Sequence, residues 1–358
     1  MSSYFSQSAL VGITVGGICL LLSWLGTGWL IKELNRRQIL DRPNDRSSHT
    51  IPTPRGGGLA IMMAVCGVGL CYAFAFSDQP LRIVVPVLGA LSLAGLSFLD
   101  DVKTLPASLR LFVQLVACFG LLAFLWDGVP ASMPLLGAWL PEGFAGAFEF
   151  VLTGFAWVWF LNLYNFMDGI DGIAGVETAS LGGAIVLASL ILPASLDGVA
   201  LGCAFIGASL GFLRWNWHPA KIFMGDVGSV PLGFLLGWLL LELAWAGAWL
   251  LALLPPLYYV VDATVTLIRR LLRGEKIWQA HRCHFYQQAV QKGRSHADVA
   301  RAVLWANLAL LLLAFVAEAK SRGLIPLLQP HESDPWAAFA VAILIVVKLI
   351  RWMQREIS

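Results

Sequence analysis

The sequence predicts an all-α integral membrane protein, a polytopic bundle of about eleven transmembrane helices. Three observations carry that prediction. Of 358 residues, 58% are hydrophobic and only 13% are charged, whereas soluble domains carry about twice that charged fraction. Apolar runs of roughly 17 to 23 residues recur along the whole length, each long enough to cross about 30 Å of hydrocarbon as a helix. These runs are continuously apolar and do not alternate, which excludes a β-barrel.

The spans fall at 8–31, 57–77, 83–99, 108–126, 148–166, 173–192, 198–213, 228–247, 249–268, 301–319 and 335–350. The first has no basic flank before it and is too long and uninterrupted for a cleavable signal segment. The 35 glycines predict close helix packing, because small residues let backbones approach in lipid. Pro255-Pro256 lies inside the ninth span, which predicts a kink or break there. No period of 20 to 50 residues is visible, so residues 1–358 read as a single polytopic membrane domain. Five cysteines (Cys19, Cys66, Cys71, Cys118 and Cys203) lie within spans and Cys283 lies in a loop. Without a CxxC pair they point to packing and not to a disulfide framework.

Net charge is only +2, which gives no reason to expect a nucleic acid partner; its distribution is what informs. One set of connections holds only Arg82, Lys320 and Arg322. The other holds the basic residues from Lys32 to Arg55, Lys103, Arg110, Arg214, Lys221, those of 269–301, and the C-terminal Arg351 and Arg355. Positive residues mark the cytoplasmic side, so the N-terminus is expected outside and the C-terminus in the cytoplasm. Every polar cluster that interrupts the apolar chain then falls on the cytoplasmic face. Ionisable groups near a bilayer core are costly, and such clusters are functional-site hypotheses by default.

Asn162-Leu-Tyr-Asn165-Phe-Met-Asp168-Gly-Ile-Asp171-Gly carries four polar residues at a spacing of three. On one uninterrupted helix Asn162 and Asp171 would point about 180° apart. Gly169 and Gly172 can end the helix and re-aim the later carboxylates. A capped helix end with an Asx turn needs one such residue and not four. Asp100-Asp101-Val102-Lys103 ends the third span. Adjacent carboxylates there suit a divalent cation or the proton of a phosphate, and Lys103 supplies a point charge for a phosphate oxygen. The blander alternative is a polar helix end that sets topology.

Phe223-Met-Gly-Asp226-Val-Gly-Ser229 opens the eighth span, with Asp226 at the expected N-cap. Helix N-termini attract anions, and Mg²⁺ typically takes one or two carboxylates plus phosphate oxygens. His281-Arg282-Cys283-His284 sits among Arg269, Arg270, Arg273 and Lys276. Such a loop suits a lipid phosphate; no second ligand pair follows to make it a zinc site. Arg42 to Gly58, with Arg46, His49 and Arg55, is rich in donors and turn formers. Together these pieces suit a nucleotide diphosphate with Mg²⁺, and the membrane setting suits a lipid phosphate; phosphoryl transfer needs chiefly positioning and charge neutralisation.

In this order the motifs resemble those of the polyprenyl-phosphate N-acetylhexosamine-1-phosphate transferase superfamily, the group of MraY, WecA and WbpL. The resemblance spans nearly the whole chain: Arg46-Ser-Ser-His49 to Pro54-Arg55-Gly-Gly-Gly58, the Asp-Asp-Val-Lys string at Asp100, NxxNxxDGxDG from Asn162, FxGDxGS from Phe223, and the last histidine loop. It implies a Mg²⁺-dependent phospho-sugar transferase, with Mn²⁺ as a substitute, in the bacterial inner (cytoplasmic) membrane. The implied reaction is attack of undecaprenyl phosphate on the β-phosphorus of a UDP-N-acetylhexosamine, with release of UMP. The resemblance assigns Asp226 and Asn165 to the metal, and Asp100, supported by Asp101, to the lipid phosphate. It places Asp168 and Phe223 near uridine, and His281, Arg282 and His284 at the phosphates. Lys103, Asn162, Asp171, His49 and Arg55 complete the expected substrate-binding set. Direct in-line attack and a covalent aspartyl route both fit the sequence.

The last loop reads His-Arg-Cys-His, where MraY enzymes carry three histidines and WecA enzymes HIHH. With Phe285-Tyr286-Gln287 following, it is most similar to the WbpL-like enzymes that start O-antigen, lipopolysaccharide or related glycans. Peptidoglycan precursor synthesis is the alternative, and an ion-coupled transporter is the alternative of another class. Transporter sites, however, lie near the midplane on broken helices, and these clusters sit at one membrane edge. Surrounding lipid and a homodimer are the other partners allowed for.

Overall fold

The computed structural model describes residues 2–43, 51–103, 105–126, 142–192, 196–276, 281–325, 331 and 334–356. Thirteen helices follow one another among the described residues. The first eight are α1 (Ser2–Arg36), α2 (Gly58–Phe76), α3 (Leu81–Lys103), α4 (Ala107–Leu125), α5 (Glu142–Phe166), α6 (Ile173–Ile191), α7 (Leu196–Asn216) and α8 (Asp226–Trp245). They continue with α9 (Trp249–Leu253), α10 (Leu257–Leu272), α11 (Phe285–Gln291), α12 (His296–Ser321) and α13 (Asp334–Gln354). The protein is an all-α polytopic membrane protein, and 10 of these helices are long and apolar enough to cross a membrane.

The expected ninth span is the exception to that length, and the prolines explain it. It forms the 5-residue α9 and the 16-residue α10, separated at Pro255-Pro256. Proline removes a backbone donor and clashes with the preceding turn, so neither half reaches full length. Several other helices outrun their apolar runs. Thus α12 begins at His296 because Ser295 caps it, its hydroxyl accepting from the Asp298 N–H at 3.1 Å. The only strands among the described residues are β1 (Leu40–Asp41) and β2 (Thr53–Pro54), a two-residue antiparallel ribbon between α1 and α2.

Helix α8 is the axis of the bundle: 89% of its most apolar stretch is buried, against 28% for α4 and α13. It packs against α2, α3, α5 and α6, and Trp157 of α5 stacks on Phe234 and donates its indole N–H to the Phe234 carbonyl at 2.9 Å. The glycines act as expected where α1 lies along α7: a methyl group on Gly207 would stand 2.0 Å from the Gly16 carbonyl oxygen. Polar contacts within the spans join helix pairs, as when Asn307 of α12 donates to Glu177 of α6 at 2.7 Å. Buried polar groups need such partners in hydrocarbon.

Candidate active site

The polar motifs gather at one end of the bundle, where α3, α5, α7 and α10 finish and α2, α8 and α12 begin. The segment before α2 is laid along the segment before α8. Phe223 N–H donates to the Pro54 carbonyl at 2.8 Å, and its own carbonyl accepts from Gly56 and Gly57 at 3.1 and 2.9 Å. Gly58 N–H adds a bond to the Met224 carbonyl at 2.9 Å. This docking requires glycine: a methyl group on Gly58 would lie 2.2 Å from the Gly228 Cα. Gly225, the residue preceding α8, has φ 74, a left-handed conformation that glycine adopts without steric cost.

The consequence is a compact polar centre. Arg55 Nη2 donates to Asp226 Oδ1 at 2.6 Å, and Asn165 Nδ2 donates to the same oxygen at 3.3 Å and to Ser229 Oγ at 2.8 Å. Asp226 is the first helical residue and Gly225 takes the cap position, a one-residue correction to the expected N-cap. Burial pushes the Asp168 carboxyl well above the usual carboxylate range; the Asp226 charge adds to this, Arg55 opposes it, and Asp171 adds again. Carboxyl groups crowded in this way favour a proton or a cation nearby.

Three expected site residues make structural contacts within the protein. Asn162 donates to Gln114 of α4 and to the Val158 carbonyl, both at 2.8 Å, so its amide links α5 to α4. Asp100 accepts from Leu105 N–H at 2.7 Å and from Arg110 at 2.9 Å; both carboxylate oxygens close the α3–α4 turn. Asp171 is buried and accepts from Ala220 N–H at 3.1 Å, with His218 at 2.6 Å and His296 at 3.1 Å. Burial by itself would raise the Asp171 carboxyl, but His296, His218 and the Ala220 N–H together hold it below its ordinary value. Lys103 is exposed at the end of α3 and Arg282 is exposed in the histidine loop. His49 and Arg46 lie outside the described residues, as does the side chain of Asp101.

The histidine loop joins this centre through Tyr286, which donates to the Phe166 carbonyl at 2.9 Å. His281 and His284 lie with ring centroids 4.8 Å apart. Burial, reinforced by His284 and Arg270, pushes the His281 imidazole down to about 4. His284 itself is buried, and its Nδ1 lies 3.1 Å from Asp262 Oδ1.

Sequence reasoning missed Asp262, His218, His296 and Asn216. The last accepts from Gly172 N–H and donates to the Ile222 carbonyl, both at 2.9 Å, tying the Asp168 turn to the Phe223 segment. A signal existed for Asp262 alone, a single carboxylate within an apolar span.

Asp171, His218 and His296 are the one group of three such ligand atoms within 4.8 Å among the described residues. Two ligands on a tetrahedral Zn²⁺ stand roughly 3.3 Å apart given bonds of about 2.0 Å. The His218 contact at 2.6 Å is instead a hydrogen bond. At Asp226 the oxygen donors suit Mg²⁺, which binds through one or two carboxylates and takes its other ligands from phosphates and water. An apolar groove of about 360 Å³ beside Gly247, Trp249 and Trp336 lies at the far end of α8. It is some 30 Å away at 1.5 Å per residue, outside this centre.

Fold and site define a polytopic helical membrane protein whose polar centre suits anionic phosphates and a divalent cation. Residues 83–244 match the glycosyl transferase family 4, and the relatives that the chain resembles over most of its length are named as polyprenyl-phosphate N-acetylglucosamine-1-phosphate transferases. It is 29% identical to a decaprenyl-phosphate N-acetylglucosaminephosphotransferase of Mycolicibacterium smegmatis, over 98% of this chain and 89% of that protein. A probable undecaprenyl-phosphate N-acetylglucosaminyl 1-phosphate transferase of Bacillus subtilis is also 29% identical, over 80% of each. An undecaprenyl-phosphate alpha-N-acetylglucosaminyl 1-phosphate transferase of Yersinia pestis is 28% identical, over 78% of this chain and 82% of its own.

Proposed function

We propose that this protein transfers an N-acetylhexosamine 1-phosphate from a UDP-sugar to undecaprenyl phosphate at the cytoplasmic face of a bacterial inner membrane. The observation that carries this reading is the convergence of Arg55, Asn165 and Asp226 at the end of the bundle where the basic connections lie. The relatives' names support the lipid and sugar classes. They make UDP-N-acetylglucosamine the first donor to assay. Entry of the product into O-antigen, lipopolysaccharide or a related glycan belongs to the same proposal.

In the reaction an oxygen of the lipid phosphate bonds to the β-phosphorus while the bond from that phosphorus to the bridging oxygen breaks. UMP leaves with the bridging oxygen, and undecaprenyl-diphosphate-sugar forms. Asp226, with Asn165 beside it, would hold Mg²⁺ or Mn²⁺, which would neutralise diphosphate charge. Arg55, paired with Asp226 at 2.6 Å, supplies a guanidinium fork for phosphate oxygens. Asp226 opens α8, and a helix N-terminus favours anions. Much of a phosphate monoester is already dianionic at neutral pH, its second pKa being about 6. Asp100, fixed by Leu105 and Arg110, therefore orients the acceptor more than it deprotonates it.

The test is an assay of purified protein with undecaprenyl phosphate and a panel of UDP-N-acetylhexosamines. UMP and a polyprenyl-diphosphate-sugar should form in equal amounts with one or more donors. Failure of the whole panel to release UMP, together with ion-dependent uptake in proteoliposomes, would favour the transporter class instead.

A further inference from the structure

Asp262 lies on α10 and is fully buried, and none of the sequence motifs contains it. Five donors converge on its two oxygens. Oδ1 receives the Phe285 N–H at 3.0 Å, the Thr266 hydroxyl at 3.2 Å and His284 Nδ1 at 3.1 Å. Oδ2 receives the Tyr258 hydroxyl at 2.9 Å and the Tyr286 N–H at 3.3 Å. Two of these donors are backbone N–H groups in the first turn of α11, so one α10 side chain carries the start of α11 and the histidine before it.

The imidazole is clamped as well as bonded. It stacks on Tyr286 with centroids 5.6 Å apart and planes 17° apart, and His281 lies on it at 4.8 Å. A carboxylate only accepts hydrogen bonds, so Nδ1 is the donor across the 3.1 Å contact with Asp262 Oδ1. The same loop is fitted to the Asn165–Asp168 turn: Tyr286 donates to the Phe166 carbonyl, and a methyl group on Gly169 would lie 2.2 Å from the Tyr286 hydroxyl oxygen. Asp262 therefore sets where the histidine loop stands relative to the polar centre.

We propose that Asp262 is a positioning residue of this site: it docks the His281–His284 loop and fixes His284 as the Nδ1–H tautomer, leaving Nε2 to accept a hydrogen bond or a proton from the bound phosphate or sugar. The proposal rests on the reading of this end of the bundle as the transfer site. The tautomer, however, is a property of the protein without substrate, so the two stand or fall separately. Neighbours that act on a metal- or substrate-facing imidazole in this way typically change activity 10- to 100-fold when replaced.

The experiment is nitrogen NMR of ¹⁵N-histidine-labelled protein in detergent, with His284→Gln used to assign the signal, alongside kinetics of Asp262→Asn. The wild type should show a protonated Nδ1 and a bare Nε2 at His284. Asp262→Asn should lose that pattern and lower kcat by about 10- to 100-fold, with the UDP-sugar KM within about threefold. An Nε2–H tautomer in the wild type, or wild-type kcat in folded Asp262→Asn, would overturn the proposal. If Asp262→Asn does not fold, the wild-type tautomer alone decides. If no UDP-sugar is turned over but the tautomer is as expected, the transfer reading fails while the positioning of His284 stands.

Discussion

At the scale of single residues, the chemistry rests on side chains whose partners are distant in sequence. Asp226 is held by Arg55, 171 residues before it, and by Asn165, 61 residues before it. Asp226→Asn keeps the hydrogen-bonding shape but removes the negative charge that Asp226 and Asn165 together offer a divalent cation, so UMP release should become undetectable at low Mg²⁺. Normal release there would remove the metal role from this residue. His281 gives a prediction with a definite sign. Its imidazole is pushed down to about 4, against an ordinary value near 6.5. Between those values the unfolded chain binds the extra proton, so His281 lowers stability as pH falls through that window. Its ring signals should stay constant from about pH 8 to 5.5. A titration midpoint near 6.5 would show instead that the ring is solvated and charges readily.

At the scale of elements, the site exists because segments dock and helices end together. The Gly58–Gly228 contact is the closest part of that docking, and a methyl group on Gly228 would meet the Gly58 Cα at 2.4 Å. Backbone cannot swing aside as a side chain can. Gly228→Ala should therefore destabilise the protein by about 1–3 kcal/mol and reduce turnover by displacing Arg55 from Asp226. A thermal unfolding midpoint equal to the wild type would show that α2 and α8 have slack. Much of this level was legible in the sequence. Continuous apolar runs marked the helices, and Pro255-Pro256 marked the break between α9 and α10. The motif pairs were legible as residue types, but their hydrogen bonds were not. The ion pair of Asp100 was not legible because nothing local shows that Arg110, one turn into α4, closes on it. Asp262 was passed over because its five donors come from α10 and from a loop more than twenty residues away.

At the scale of the whole molecule, the bundle gathers Arg55, Asn165 and Asp226 at one end, while the other end carries separate ion pairs such as Arg82–Glu242 and Lys320–Asp334. The skewed distribution of Lys and Arg supports the proposed placement of the Asp226 end in the cytoplasm. A cysteine introduced at Lys103 should react with an impermeant maleimide only after the inner membrane is opened; labelling in intact spheroplasts would reverse the topology. One end, one site and one transfer reaction form the central claim. Its most direct measurement is mass-spectrometric detection of the lipid product when purified protein is supplied with undecaprenyl phosphate, Mg²⁺ and UDP-N-acetylglucosamine or its congeners. The account predicts undecaprenyl-diphosphate-sugar and UMP in a one-to-one ratio with wild type, and neither with Asp226→Asn. Equal product from both proteins, or sugar transfer that releases UDP and not UMP, would contradict it.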